Sequence, residues 1–157
     1  MEDDVSDLLL FSHECSPNYS HHDNVLITTT TIEAEVSAMT QVSYGPEGVD
    51  IRFPGWEATM AGRGFLRVPI SALLSARVEP GWTSEILGMR SGLVVSGYRK
   101  LGTFTHPSGV RRLVSMKRGV PLLRLSTVRG ETGFDEILLS TDDAHRIAQA
   151  IHRSAAR

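Results

Sequence analysis

Apolar side chains in this chain recur at every second position, in short runs separated by glycine and proline, until a single helical pattern closes the sequence. Ile32, Ala34, Val36 and Ala38 alternate with Glu33, Glu35 and Ser37. A period of two puts one set of side chains on each face of a strand, so this run predicts a half-buried strand. Tyr44-Gly45-Pro46-Glu47-Gly48 follows as a turn, with Pro presetting φ and Gly tolerating the positive φ that many turns require. Val49, Ile51 and Phe53 then alternate with Asp50 and Arg52, which predicts an antiparallel return.

The same reading gives strands at Phe65–Val68, stopped by Pro69, and at Leu74–Glu79, with Leu74, Ala76 and Val78 on one face. Between Pro80 and Gly109 glycines stand at 81, 88, 92, 97, 102 and 109. They predict a long loop, followed by a strand near 101–105. Leu113–Met116 and Val120–Ser126 flank Lys117-Arg118-Gly119 and read as a hairpin, and Phe134–Leu139 is the last strand. The one clear helix starts at Ser140 or Thr141, where a hydroxyl followed by Asp142 and Asp143 suits a helix N-terminus. Ala144, Ile147, Ala148, Ile151 and Ala155 share one face at helical spacing.

Several stretches then follow in a familiar order. Ile51-Arg52-Phe53-Pro54-Gly55-Trp56-Glu57-Ala58 is the first, and Leu66-Arg67-Val68-Pro69-Ile70 through Ser75-Ala76-Arg77-Val78 the second. Arg118-Gly119-Val120-Pro121-Leu122 comes next, and Phe134 to Asp143 leads into the helix. Together, over roughly residues 30–154, they resemble the bacterial PH-like domain proteins found in actinobacteria. The resemblance implies a mainly β fold, a PH-like barrel of about seven antiparallel strands capped by a C-terminal helix, and a binding role. Residues 25–157 would form that domain and residues 1–24 an acidic tail with too little apolar surface to order itself. Two features depart from the family. The first strand-to-strand loop, Tyr44–Gly48, lies in a region without Lys or Arg, so no phosphoinositide site carries over. The closing helix also has no Trp.

Charge is unevenly distributed along the chain. The net formal charge of -2 hides ten acidic and no basic residues over positions 1–51, against 16 basic and eight acidic beyond. From Ile86 to Gly130 there are nine cations and no carboxylate. Arg90, Arg99, Lys100, Arg111, Arg112, Lys117 and Arg118 of this stretch are the candidate residues for an anion or a partner. The competing reading is a solvated scatter around the strands, since Arg111 and Arg112 must point to opposite faces. A third possibility is that the acidic tail docks on this stretch and masks it.

Motifs for other chemistry are missing. The chain has no phosphate-binding GxxxxGK[ST] loop and no nucleophile elbow. His13, Cys15, His21, His22 and Asp23 lack the spacing of a tetrahedral metal site, so no metal is assigned. One cysteine cannot form an internal disulfide, and Cys15 has no nearby cation to activate it. Trp56 reads as a core anchor, while Trp82 stays open between core and surface. Glu2, Asp3 and Asp4 stand where a secretory signal would need cations.

The expectation is therefore a cytoplasmic, non-enzymatic interaction module that needs no cofactor and binds a protein or peptide. The runner-up is peripheral binding to anionic lipid on the inner face of the membrane, through the basic 90–129 stretch. A small enzyme or carrier using the barrel mouth comes third. Nucleic acid is disfavoured because no recognition motif is present, and a homo-oligomer is left open.

Overall fold

In a computed structural model, residues 39–83, 85–95 and 97–156 are described. The acidic tail, the candidate tail metal ligands and the strand expected at Ile32–Ala38 lie outside them. Strands β1 (Gln41–Gly45), β2 (Gly48–Arg52) and β3 (Phe65–Pro69) form a three-stranded antiparallel meander. Its register pairs Val42 with Ile51 and Ile51 with Leu66, and likewise Tyr44 with Val49 and Val49 with Val68. These rows turn inward. The alternate rows, containing Asp50 and Arg67 or Arg52 and Phe65, turn to solvent, where Arg67 bridges Asp50 and Glu47 at 2.7 and 2.8 Å.

Helix α1 (Trp56–Ala61) fills the β2–β3 connection, and a single 3-10 turn at Ile70–Ala72 leads from β3 into the second sheet. That sheet holds β4 (Leu73–Glu79), β5 (Met89–Val95), β6 (Arg99–Thr105), β7 (Arg111–Lys117), β8 (Leu122–Thr127) and β9 (Glu136–Ser140). The spatial order is β4-β8-β9-β7-β6-β5. A short helix α2 (Arg129–Thr132) precedes β9, and α3 (Ala144–Ala155) closes the fold.

One face of the six-stranded sheet packs against the small sheet and α3. Leu101, Leu113, Leu123, Leu125, Ile137 and Leu139 contribute from the large sheet, Val49, Ile51 and Val68 from the small one, and Ile147 and Ile151 from the helix. Burying each large aliphatic side chain contributes about 1.5–3 kcal/mol, so this cluster supplies most of the apolar driving force. The opposite face carries a smaller cluster of Phe104, Val114, Met116, Leu122 and Leu138, roofed by Leu87 from the loop after β4.

The mainly β character and the C-terminal helix match the sequence reading. The strand count and pairing differ: nine strands are described, the β7–β9 pair is parallel, and neither sheet closes on itself among the described residues. The hairpin expected across Lys117-Arg118-Gly119 does not form. β9 inserts between β7 and β8, so Arg118–Pro121 bridges two strand spacings, roughly 10 Å. The end of β9 is tied into that gap. The Ser140 hydroxyl accepts the Lys117 amide at 2.9 Å, and the Thr141 amide donates to the Pro121 carbonyl at 3.0 Å.

Three local expectations also change. The strand expected near 101–105 is β6, but the stretch before it is not one long loop, because β5 forms within it. Leu74 is not on the Ala76 face: the register slips between Leu73 and Ser75, and Leu74 is left 67% exposed. Helix α3 begins at Ala144, three residues beyond the nearer expected start, with the Thr141 hydroxyl accepting the Asp143 amide at 3.3 Å.

Candidate functional site

The basic stretch from Ile86 to Gly130 folds onto β5 to β8 and their turns, and its cations meet different fates. Arg99 turns inward, is 8% exposed, and pairs with Glu57, which α1 buries completely. Thr40 donates to the second oxygen of Glu57 at 2.6 Å, and Ser115 lies 2.8 Å from the Thr40 hydroxyl. Because the Thr40 proton is committed to the carboxylate, Ser115 must be the donor to Thr40. Trp56 covers the Arg99 guanidinium at 5.6 Å but is itself 45% exposed, so it is a lid on an ion pair rather than a core anchor.

Arg112 and Arg124 sit on the opposite face of the sheet. Arg112 meets Glu136 at 2.5 Å. Arg124 reaches Glu79 at 2.8 Å, Glu85 at 2.7 Å and Glu136 at 3.4 Å. The hydrogen bond to Glu85 is the largest cause of the raised Arg124 pKa, against the opposing effect of burial. Reciprocally, that bond holds the Glu85 carboxyl below its ordinary range. Arg129 lies 3.5 Å from Asp135.

Four of the nine cations are thus neutralised by carboxylates that flank the stretch in sequence: Glu57, Glu79, Glu85, Asp135 and Glu136. The side-chain charges of Arg90, Lys100, Arg111, Lys117 and Arg118 form no ion pair among the described residues. They do not form one patch. Lys100, Lys117 and Arg118 gather at the Val95–Arg99 end of the β5–β6–β7 sheet, and Arg90 and Arg111 at the Met89–Thr105 end. Seven extended residues separate those ends by about 20 Å.

At the first end aromatic rings and backbone carbonyls occupy the cations. Lys100 lies 4.5 Å from the Trp82 ring and donates to the Thr83 carbonyl at 3.1 Å, and its pKa is lowered by burial. Lys117 stands 5.9 Å from Tyr98, and Arg118 donates to the Gly97 carbonyl at 3.2 Å. Trp82 therefore belongs to the loop that covers the outer face.

The second end contains a cavity of about 640 Å³. Cross-strand register puts Met89, Thr105 and Arg111 in one row and Ser91 and Thr103 in the next, on the same sheet face. Arg90 also lines the cavity, although its register partner is Phe104, on the alternate face. His106, at the end of β6, completes the wall. Its Nδ1 accepts the Ser108 amide at 3.2 Å, so a neutral ring carries its proton on Nε2 and is a donor there.

Beside the cavity runs β5, the outermost strand of the large sheet, with no partner on its outer side among the described residues. Met89, Ser91 and Val95 are exposed, and Arg90 is its only charge. The glycines hid this strand from the sequence pattern. Gly92 and Gly102 face each other across β5 and β6 with φ of +149° and +136°. A Cβ on either would lie 2.6–2.7 Å from the partner's Cα, so the glycines are what let the two strands pair there. Neither the Glu57–Arg99 pair nor the cavity was visible in advance. Lack of any carboxylate between Ile86 and Gly130 indicated only that pairing partners, if present, must come from elsewhere.

Comparison with family models, with curated proteins and with solved structures returned no match.

Proposed function

We propose that this chain is a non-enzymatic interaction module that binds an extended segment of a protein partner along the open edge of β5. The observation that carries the reading is that edge. The outer side of this seven-residue strand, unpaired among the described residues, offers a row of backbone donors and acceptors, and natural proteins usually block such edges with charge, proline or a covering element. Here one Arg is the only charge along it. A partner strand would gain main-chain hydrogen bonds from the edge, with selectivity from side chains beside Met89, Ser91 and Val95.

The kinship with PH-like proteins belongs to this proposal as well. It rests on the order of the sequence motifs and on the helix-capped, two-sheet architecture, and the parallel β7–β9 pair is where this chain departs from an all-antiparallel barrel. Membrane attachment is the weaker reading, because the cations that would supply it are partly paired internally and otherwise split between two ends of the sheet. Binding by a second copy of the chain is the other occupant the edge allows.

Hydrogen exchange on the chain with and without its affinity-captured partner tests the reading. Slowed exchange at the amides of Met89–Val95, abolished in Ser91→Pro while Leu93→Lys weakens it, is the expected result. Protection elsewhere, or salt-sensitive sedimentation with anionic but not neutral vesicles and no protein captured, overturns it. Protection of β5 that depends on the chain's own concentration assigns the edge to self-association instead.

A further inference from the structure

We propose that the cavity at the Met89–Thr105–Arg111 end of the large sheet is a binding site for a small organic carboxylate, with Arg111 as its charge anchor. The site adjoins the β5 outer edge and shares Met89 and Ser91 with it, but it does not depend on what that edge binds.

Donors dominate the wall. Ser91, Thr103 and Thr105 supply hydroxyls, His106 its ring nitrogen and Arg111 its guanidinium, and no carboxylate lines the cavity among the described residues. The one acid nearby is already engaged: Asp135 accepts the backbone amide of Arg111 at 2.7 Å and lies 3.5 Å from Arg129. Arg111 instead packs on the ring of Phe134 at 5.3 Å. Arg63, from the loop after α1, packs on the same ring at 4.7 Å.

Two guanidiniums therefore share one aromatic ring, and neither forms an ion pair among the described residues. Burial first, and the neighbouring Arg111 charge second, lower the Arg63 pKa, and the Arg63 Nε is buried with no hydrogen-bond partner among the described residues. An incoming anion would relieve that repulsion at Arg111 and meet donors already in place.

The size and composition of the site limit the ligand. A volume of about 640 Å³ falls in the range of small-molecule sites. Met89 and Pro107 give it an apolar wall, which favours a ligand with a hydrocarbon body over a bare ion. A planar guanidinium matches a carboxylate through two parallel hydrogen bonds. Arg111 stands in the same row as Thr105 and beside that of Ser91 and Thr103, whereas Arg90, which also lines the cavity, has its register on the alternate face, so Arg111 is the anchor we assign. One anchoring charge suits a monoanion better than a phosphate dianion.

The test uses the full chain, with 3-phenylpropanoate as probe, its primary amide as neutral match, and phenyl phosphate as dianion. Titration followed by backbone amide shifts should move Ser91, Thr103, Thr105 and Arg111 with the acid. The amide should bind on the order of tenfold more weakly or worse, as expected for a charge-assisted hydrogen bond. Arg111→Gln should weaken the acid to a similar degree, Thr103→Val less, and Arg118→Gln, at the far end, not at all. Binding should also fall as pH drops through the probe's own carboxyl range. Equal affinity for acid and amide, tighter binding of phenyl phosphate, or an unchanged affinity in both Arg111→Gln and Thr103→Val would each overturn the proposal. If Arg111→Gln fails to fold, Thr103→Val and the acid–amide comparison decide. A blocked Val-Glu-Val peptide is the second source of the same chemistry. If it shifts these four amides and the free acid does not, the pocket reads a partner's side chain and the small-molecule site is refuted.

Discussion

The two faces of the six-stranded sheet are held by different forces. On the inner face, Leu101, Leu113, Leu125, Ile137 and Leu139 meet the small sheet and α3 with essentially no exposure. On the outer face, among the described residues, a cluster about Phe104, Val114 and Met116 is covered by the loop after β4. That loop is pinned by Glu85 on Arg124, by the Thr83 carbonyl on Lys100 and by the burial of Leu87. Apolar burial neither titrates nor is screened by salt, whereas partly exposed ion pairs do both. The molecule should therefore loosen from the outside first.

The largest effect should come from the ion pair buried beneath α1 on the inner face. Arg99→Leu would leave Glu57 fully buried with Thr40 but without its cation. Breaking a buried pair from one side costs roughly 3–5 kcal/mol, and urea unfolding should show it as a lowered midpoint. Adding Glu57→Leu to Arg99→Leu should recover much of the loss, since the uncompensated charge is then gone. A double variant no better than the single one would mean that the pair is not what α1 contributes to the fold.

Next in size is the apolar contrast itself. Leu125→Ala on the inner face should cost roughly 2–5 kcal/mol, because neighbours packed from three elements cannot collapse into the space. Val114→Ala on the outer face removes less and lies under a loop that can settle, so its cost should be clearly smaller. Thermal unfolding of both variants checks this, and equal costs would show that the loop packs as firmly as the small sheet.

What the sequence revealed divides along the same line. The alternation of Val49, Ile51 and Phe53, the Phe65–Val68 run and the helix face of Ala144, Ile147 and Ile151 were legible, because each reports one element against one core. Strand order was not, since nothing in Phe134–Leu139 says that it enters between β7 and β8 and runs parallel to one of them. β5 was obscured by Gly92, whose backbone role depends on Gly102 across the strand pair. The charge stretch was legible as composition but not as a surface. Arg99 and Arg112 belong to strands whose facing carboxylates, Glu57 and Glu136, lie 42 and 24 residues away in the chain. Of the seven residues selected, Arg111 was chosen for its charge alone; its place in a hydroxyl-lined cavity follows from a register that only pairing reveals.

The smallest effect is the most specific to the outer face. Arg124 holds the Glu85 carboxyl below its ordinary range, so Glu85 binds its proton less readily folded than unfolded. Its contribution is therefore complete above the ordinary carboxylate range, about 4.3, and is lost as pH falls through the lower folded value. Between neutral pH and about 5 the loop should not respond. Below that range, Trp82 fluorescence in a Trp56→Phe background should change before the cooperative unfolding of the inner core, and high salt should move the change to higher pH. Glu85→Gln should remove this early transition while leaving the main one in place. One coincident acid transition for Trp82 and for the core, unaltered by Glu85→Gln, would show that both faces unfold as a unit and that the ion pairs merely decorate a loop held by Leu87.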